Sequence, residues 1–437
     1  MHTTKARMNP WQLAMLLIPG IGSAAVLGLP STTATFARQD AWMAPLVALP
    51  LSALTIWLCD RLAARFPEQT FAEYAPRVLG WLPGKLCGLL LFWYFFHLDA
   101  VITRQFADFL VAAAHPRTPV VLVAGLGGFA AAVAVRHGPE ILARLGELFT
   151  PVAFVLVLAI VGLAYSSMDA SLVKPVLENG WGPVLASGFI TQAFTGQFVL
   201  LLVLLPSVNG LRSAVKASYA ALIVIVATLT LVSFVSLSVF GPITASFVWP
   251  FFKVARVASF GAVLARIDPL VLGFWVGGSC LKMAVHLYAA VVTFAYTLGL
   301  RHWRPLVFPM AALMTAYAIG HLNNVVEHGR MLAYFWPPYT QVFHLALPAL
   351  VLMVAAARGL KDAGALGRTG ASDGRSAGDG PGSGGGGGRT GLGGQRAGAR
   401  ATRTGEPAGS ASVGGLQAGE GGLWAGSEKG ADTGDEA

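Results

Sequence analysis

Runs of roughly twenty apolar residues, separated by short polar loops, follow one another from Trp11 to Ala357. A helix rises about 1.5 Å per residue, so each run can cross the roughly 30 Å hydrocarbon core of a bilayer. The strict alternation that indicates strands is absent. The pattern predicts an all-α membrane protein of about ten transmembrane helices. The predicted spans are residues 11–35, 42–60, 86–112, 119–135, 148–165, 186–206, 217–240, 269–298, 305–320 and 338–357.

Two polar interruptions stand five spans apart, one from Pro19 to Ser23 and one from Thr191 to Gln197. Transporters built from inverted repeats place a discontinuous helix in each half, with the freed backbone groups facing a cavity. The spacing therefore predicts a five-plus-five repeat with broken helices one and six. The halves show no strong residue identity, so the repeat is inferred from position alone.

The first interruption suits a site for a ligand carboxylate. Pro19 removes a helical donor, and the free N–H groups of a half-helix attract an anion. Gly20, Ile21, Gly22 and Ser23 are the candidate binding residues. A simple proline kink with close helix packing explains the same residues equally well.

The second interruption concentrates hydrogen-bonding groups inside an apolar span. Thr191, Thr195, Gly196 and Gln197 are costly at that depth unless they face a cavity or a partner helix, which favours a ligand site. Phe194 is either an aromatic lid over this site or an ordinary packing residue.

Ionisable residues inside spans are the remaining candidates. Lys282 lies near the middle of the eighth span with His286 on the same face, and Asp99 lies in the third span. Lys282 either braces the eighth helix against the first or neutralises Asp99; snorkelling to an interface is disfavoured by its depth. Tyr94 either donates its hydroxyl to a ligand or packs in the core.

Composition and charge agree with a membrane location. Hydrophobic residues make up 55% of the chain, charged residues 12%, and the mean hydropathy is +0.64, values that exclude a soluble fold. The net charge of +9 comes mostly from loops on one side, which predicts cytoplasmic termini and no nucleic-acid binding. Catalytic, phosphate-binding and metal-ligand motifs are absent, so we expect no enzyme activity, cofactor or metal.

Three regions follow from these patterns. Residues 1–10 form a cytoplasmic N-terminal segment, residues 11–357 the ten-helix membrane domain, and residues 358–437 a disordered cytoplasmic tail rich in Gly, Ala and Arg. Between the seventh and eighth spans, Phe247 to Leu264 predicts an amphipathic helix at the outer interface, with a short eleventh span as the alternative. Asp268 and Pro269 predict the start of the eighth span.

Ordered motifs along some three hundred residues resemble those of one known family. They include Pro10-Trp11-Gln12-Leu13, Gly28-Leu29-Pro30, Gln39-Asp40-Ala41-Trp42, Arg65-Phe66-Pro67, Arg104-Gln105-Phe106-Ala107-Asp108-Phe109, His115-Pro116-Arg117-Thr118-Pro119, Val239-Phe240-Gly241-Pro242 and Arg266-Ile267-Asp268 followed by Lys282. The family is the B subunit of GerA-type spore germinant receptors, a permease-like branch of the amino acid–polyamine–organocation (APC) superfamily.

The resemblance implies a leucine-transporter-like fold in the inner membrane of a bacterial spore or in a cell membrane. It implies a receptor subunit that senses a small amino acid such as alanine, bound between the first, third, sixth and eighth helices. The expected partners are an A-type membrane subunit and a C-type lipoprotein. Related transporters bind sodium where the ammonium of Lys282 would stand.

Two departures from the family affect the expected function. Gln197 replaces an acidic residue in the sixth span, and Gln105 replaces a frequent Glu beside Arg104. The missing carboxylate at Gln197 favours sensing over pumping. The alternatives are an amino-acid:proton symporter, supported by Asp99, and a channel or scaffold subunit of the germination complex.

Overall fold

The regular secondary structure of this protein is helical. The computed structural model describes residues 8–257, 268–321 and 325–361, and within them the one pairing of extended backbone is an isolated bridge between Met8 and Val208. The helices are Pro10–Ala37 (α1), Ala44–Arg65 (α2), Phe71–Leu79 (α3), Trp81–Ala113 (α4), Val120–Arg136 (α5), Pro139–Ala164 (α6), Trp181–Thr195 (α7), Leu201–Leu204 (α8), Leu211–Phe240 (α9), Pro250–Val257 (α10), Asp268–Thr297 (α11), Val307–His321 (α12), Val325–Arg330 (α13), Trp336–Gln341 (α14) and Leu347–Ala357 (α15).

The ten predicted spans correspond to these helices. Seven helical stretches in the described part of the chain are long and apolar enough to cross a membrane. The first of them, Pro10–Arg65, contains both α1 and α2, and α5 is a shorter apolar helix at the fourth predicted span. The ninth predicted span corresponds to α12. The all-α membrane fold is confirmed.

The first helix occupies the middle of the bundle, where it packs against α6, α7, α9 and α11. Its start is defined by a capping box, because the Asn9 side chain accepts from the Gln12 N–H and the Gln12 side chain accepts from the Asn9 N–H. Pro10 at the first helical position loses no hydrogen bond.

The structure differs from the prediction in this helix, which runs without interruption from Pro10 to Ala37. Pro19 has no N–H, so the carbonyl of Met15 one turn earlier lacks its usual partner. The Thr150 hydroxyl of α6 donates to that carbonyl over 2.7 Å. A neighbouring helix therefore satisfies the group that the proline releases, and the first interruption is a proline within a continuous helix.

The predicted interruption of the sixth span is present. Its α-helix α7 ends at Thr195, the next turn, Gly196–Leu200, is a 3₁₀ helix, and the short α8 follows. Every residue of this turn is buried. The polar groups of the sixth span therefore lie in the interior of the bundle.

The tenth span begins earlier than predicted. Helical structure runs from Val325 to Ala357, with π-helical turns at Met331–Phe335 and Val342–Ala346. Pro337 and Pro338, at the predicted boundary, lie inside the helix, and the Thr340 hydroxyl donates to the Pro337 carbonyl over 3.0 Å.

Two further predictions lie partly outside the described residues. The amphipathic helix predicted from Phe247 to Leu264 is described as far as Val257, as α10, and the remainder lies outside. The described part of the eighth span is α11, Asp268–Thr297; because residues 258–267 lie outside the described part, its start at Asp268 stays a prediction. Residues 1–7 and all of the proposed tail beyond residue 361 lie outside the described part, so both terminal segments stay predictions.

Close contact between α6 and α1 depends on Gly146. A Cβ atom at this position would lie 2.8 Å from the Cα of Leu16, closer than such contacts allow. Gly162, on the same helix, has nothing within 4 Å of the corresponding point. The two glycines form a matched pair for a test of this crossing.

We expect Gly146→Ala to destabilise the protein by about 1–3 kcal/mol, because α1 and α6 must separate to accommodate the methyl group. Gly162→Ala should be neutral or slightly stabilising, since alanine favours a helix. Thermal unfolding of the purified variants measures both. Equal melting temperatures for the two variants would contradict the proposed close packing.

Candidate functional site

A buried ammonium connects three parts of the bundle. Lys282 is only 1% exposed, and its Nζ donates to the carbonyl of Ile21 in α1 over 2.7 Å and to Oε1 of Gln197 in the 3₁₀ turn over 3.0 Å. A charge at this depth is costly unless it is hydrogen-bonded. Lys282 thus braces α11 against α1, one of its two predicted roles, and also holds the interrupted sixth span.

The second predicted role, pairing with Asp99, is not observed. Lys282 makes no bond to Asp99, and Asp99 Oδ1 has no partner among the described residues. Asp99 lies one turn along α4 from Thr103, whose hydroxyl contacts the sulfur of Met283 at 3.4 Å. The carboxyl group is therefore buried on the side of α4 that faces α11, separate from the ammonium.

His286 lies one turn after Lys282 on α11, as predicted. Its Nδ1 is 2.8 Å from the Lys282 carbonyl, which can only accept, so Nδ1 carries the proton. The Nε2 atom then presents a lone pair, and it has no partner among the described residues. An acceptor without a donor therefore stands beside the ammonium.

Tyr94 and Gly196 meet at a residue that the sequence prediction omitted, His344. Tyr94 Oη lies 2.6 Å from His344 Nε2, and a Cβ atom on Gly196 would lie 2.3 Å from His344 Nδ1. Only a glycine permits this approach. The missed signal was an ionisable residue inside the tenth apolar span, which is costly in a membrane. His344 also lies in a π-helical turn, and such turns are frequent at functional sites.

The tenth span contributes a second contact to the sixth. The Gln341 amide donates to Oε1 of Gln192, one turn before Gly196. Gln192 Nε2 has no partner among the described residues, although it is fully buried. An unpaired amide donor therefore lies next to the Tyr94 and His344 pair.

The other sixth-span candidates are buried and bonded or packed within the protein. The Thr191 hydroxyl donates to the Ser187 carbonyl over 2.8 Å, and Thr195 Oγ1 lies 2.6 Å from Ser52 Oγ of α2. Phe194 is buried in the main hydrophobic cluster. Thr191 therefore bonds within α7, Thr195 links the sixth span to α2, and Phe194 packs in the core.

The first-span candidates also face different neighbours. A Cβ on Gly20 would contact Val285 of α11, and one on Gly22 would contact Ile225 of α9, both at ordinary distances. Ser23 lies beside Gly278, and its hydroxyl has no partner among the described residues. Of this group, only Ile21 reaches the Lys282 centre, through its carbonyl. No group of three or more metal-binding side chains occurs in the described ranges.

The sequence of the chain is similar to those of spore germination proteins. A family model described as "Spore germination protein" matches residues 7–324. Spore germination protein KB of Bacillus subtilis (strain 168) is 27% identical over 361 residues, which cover 80% of this chain and 95% of that protein. The putative spore germination protein YfkT of the same strain is 26% identical over 333 residues, covering 74% and 89%.

Solved structures share the fold at low sequence identity. The transporter Mhp1 of the nucleobase-cation-symport-1 family, closed on bromovinylhydantoin, gives a TM-score of 0.59 at 15% identity, covering 79% of this chain and 80% of that chain. MhsT in complex with L-phenylalanine gives 0.57 at 12% identity, covering 83% and 91%. Both are transporters of the leucine-transporter fold, as predicted for this chain. Because the family model matches most of the membrane domain, the chain belongs to the spore germination protein family.

Proposed function

We propose that this germination membrane protein is a germinant receptor subunit that senses a small amino acid such as alanine. It works in the inner membrane of the spore, with both termini in the cytoplasm, beside an A-type membrane subunit and a C-type lipoprotein. Family membership and the transporter fold support this function. So does the likeness to MhsT, whose structure holds the amino acid L-phenylalanine.

The observation that carries the proposal is the Lys282 bridge. One ammonium holds α1 and the Gly196–Leu200 turn to α11, so relative movement of these elements must break a buried charged hydrogen bond. A ligand that competes for these hydrogen bonds, or adds hydrogen bonds to the same groups, favours one arrangement of the three elements over another. Differential binding of this kind is what a sensor requires.

Unpaired buried groups on α4, α7 and α11 support a ligand site between these helices. Gln192 Nε2, His286 Nε2 and Asp99 Oδ1 lack partners among the described residues. Buried polar atoms are normally hydrogen-bonded, so a polar ligand or water is the natural partner for them. Because α1 is continuous, the ligand carboxylate is held by side-chain donors such as Gln192, and free backbone N–H groups of a broken helix play no part.

The neutral amide at Gln197 favours sensing over transport. A coupled symporter needs a group that takes up and releases a proton or cation during each cycle. The partner of Lys282 in the sixth span cannot titrate, and the ammonium itself stands in the proposed cation position. Asp99 is the one observation that favours the second candidate, an amino-acid:proton symporter, because it is a buried carboxyl group whose Oδ1 has no partner among the described residues.

L-Alanine at about 100 times its dissociation constant should raise the melting temperature of the purified protein by about 5 °C. Gln197→Leu and Lys282→Met should each weaken alanine binding about tenfold, because each removes part of the bridge. Exposed Lys216→Met is the matched control and should bind normally. If both bridge variants bind alanine with unchanged affinity, the alanine site does not lie at the Lys282 centre.

Alanine binding should not depend on sodium, since the Lys282 ammonium supplies the positive charge in the proposed cation position. Affinities measured in sodium chloride and in choline chloride should agree within about twofold. If alanine affinity is tenfold or more weaker in choline chloride, a difference of about 1.4 kcal/mol, binding needs a sodium ion, which would contradict the role given to Lys282.

The chain alone should not accumulate labelled alanine in proteoliposomes with an imposed proton gradient. Uptake that is abolished by Asp99→Asn and retained by exposed Asp169→Asn would establish the symporter instead. In spores, Gln197→Leu or Lys282→Met should reduce alanine-triggered germination if the protein still assembles, because each removes part of the bridge. Normal germination in both variants would contradict the proposed sensing site.

A further inference from the structure

A cavity with polar groups in its wall lies away from the Lys282 centre, at the end of the bundle opposite the basic loops. Its volume is about 220 Å³, which suits a small solute better than a drug-sized molecule. Its walls come from α1, α4, the segment from Ala245 to Trp249, and the start of the tenth span. Neither Lys282 nor Gln197 is among its lining residues.

One imidazole in this wall lacks a partner. His328 lines the cavity, is 4% exposed, and its Nε2 bonds to none of the described residues. A buried polar atom without a partner costs about 1–3 kcal/mol, so its persistence needs an explanation. A solute in the cavity with a hydrogen-bonding group provides one.

Two side chains of α4 complete the polar wall. Asp108 lines the cavity, and its Oδ1 accepts from Arg104 Nε over 2.9 Å. Its second oxygen accepts from no described residue. Gln105, which replaces a frequent Glu of the family, also lines the cavity, and its amide makes no bond to the described part of the chain.

The charges select the class of solute. Asp108 is already neutralised by Arg104, so the pair as a whole offers no net charge to a simple cation or anion. A zwitterion presents both signs, and each end meets a complementary group. Its ammonium can donate to the free oxygen of Asp108, and its carboxylate can accept from the Gln105 amide and the His328 imidazole.

We propose that this cavity is a second binding site, specific for small zwitterions, on the opposite side of the bundle from the basic loops. For the identity of the solute the proposal rests on the proposed function, since a small amino acid is the probe. Asp108 binds the ammonium, and Gln105 with His328 binds the carboxylate. The cavity collects the amino acid before it reaches the Lys282 centre.

Protection of an introduced cysteine tests the site in the full-length purified protein. Thr32 lines the cavity and bonds only to its own helix, at the Gly28 carbonyl, so Thr32→Cys is a mild change. The chain without this change measures background labelling of the three native cysteines. L-Alanine at about twice its dissociation constant should slow maleimide labelling about threefold. Lactate, without an ammonium, and ethylamine, without a carboxylate, should not.

Variants then separate this site from the centre. In the Thr32→Cys protein, His328→Ala and Gln105→Leu should each abolish protection while the Arg104–Asp108 pair is kept. Gln197→Leu should leave protection unchanged. Protection that survives both cavity variants, or that disappears with Gln197→Leu, would overturn the second site. If only the second site is wrong, alanine should still raise the melting temperature of the protein. If alanine neither protects the introduced cysteine nor raises the melting temperature, the proposed function fails as well.

Discussion

The burial of one ammonium is the constraint on which the centre of this protein depends. Lys282 sits where water cannot reach it, and an uncompensated charge there would be severely destabilising. Its acceptors come from α1 and from the Gly196–Leu200 turn, so both elements must stay within hydrogen-bond distance of α11. The interruption of the sixth span thus has a direct purpose, because it places the Gln197 side chain beside the ammonium.

The same arrangement makes the centre sensitive to ligands. The buried groups of Gln192 on α7, His286 on α11 and Asp99 on α4 lack partners in the described structure, so the interior of the bundle retains unused hydrogen-bonding capacity. A molecule that supplies those partners stabilises whichever arrangement admits it. Because Gln197 is neutral, such a change needs no proton or cation to accompany it. This is the physical basis of the proposal that the protein is a receptor built on a transporter fold.

The sequence predicted features that local patterns determine and missed those set by distant contacts. Hydropathy located the ten spans, and the polar cluster before Gln197 located the sixth-span interruption. The continuity of α1 depends on the Thr150 hydroxyl, which comes from a helix more than a hundred residues away. Likewise, the role of His344 appears only once Tyr94 and Gly196 are placed beside it. Neither partnership leaves a periodic signal in the chain.

A double-mutant cycle between Lys282 and Gln197 measures the bridge itself. Stability of the unmodified protein, Lys282→Met, Gln197→Leu and the double variant would be determined in the same membrane-mimetic. If the ammonium joins the two elements, the interaction free energy should be about 1–3 kcal/mol, as for contacting buried groups. Additive effects, within about 0.5 kcal/mol, would show that the two side chains act independently and would contradict the bridge.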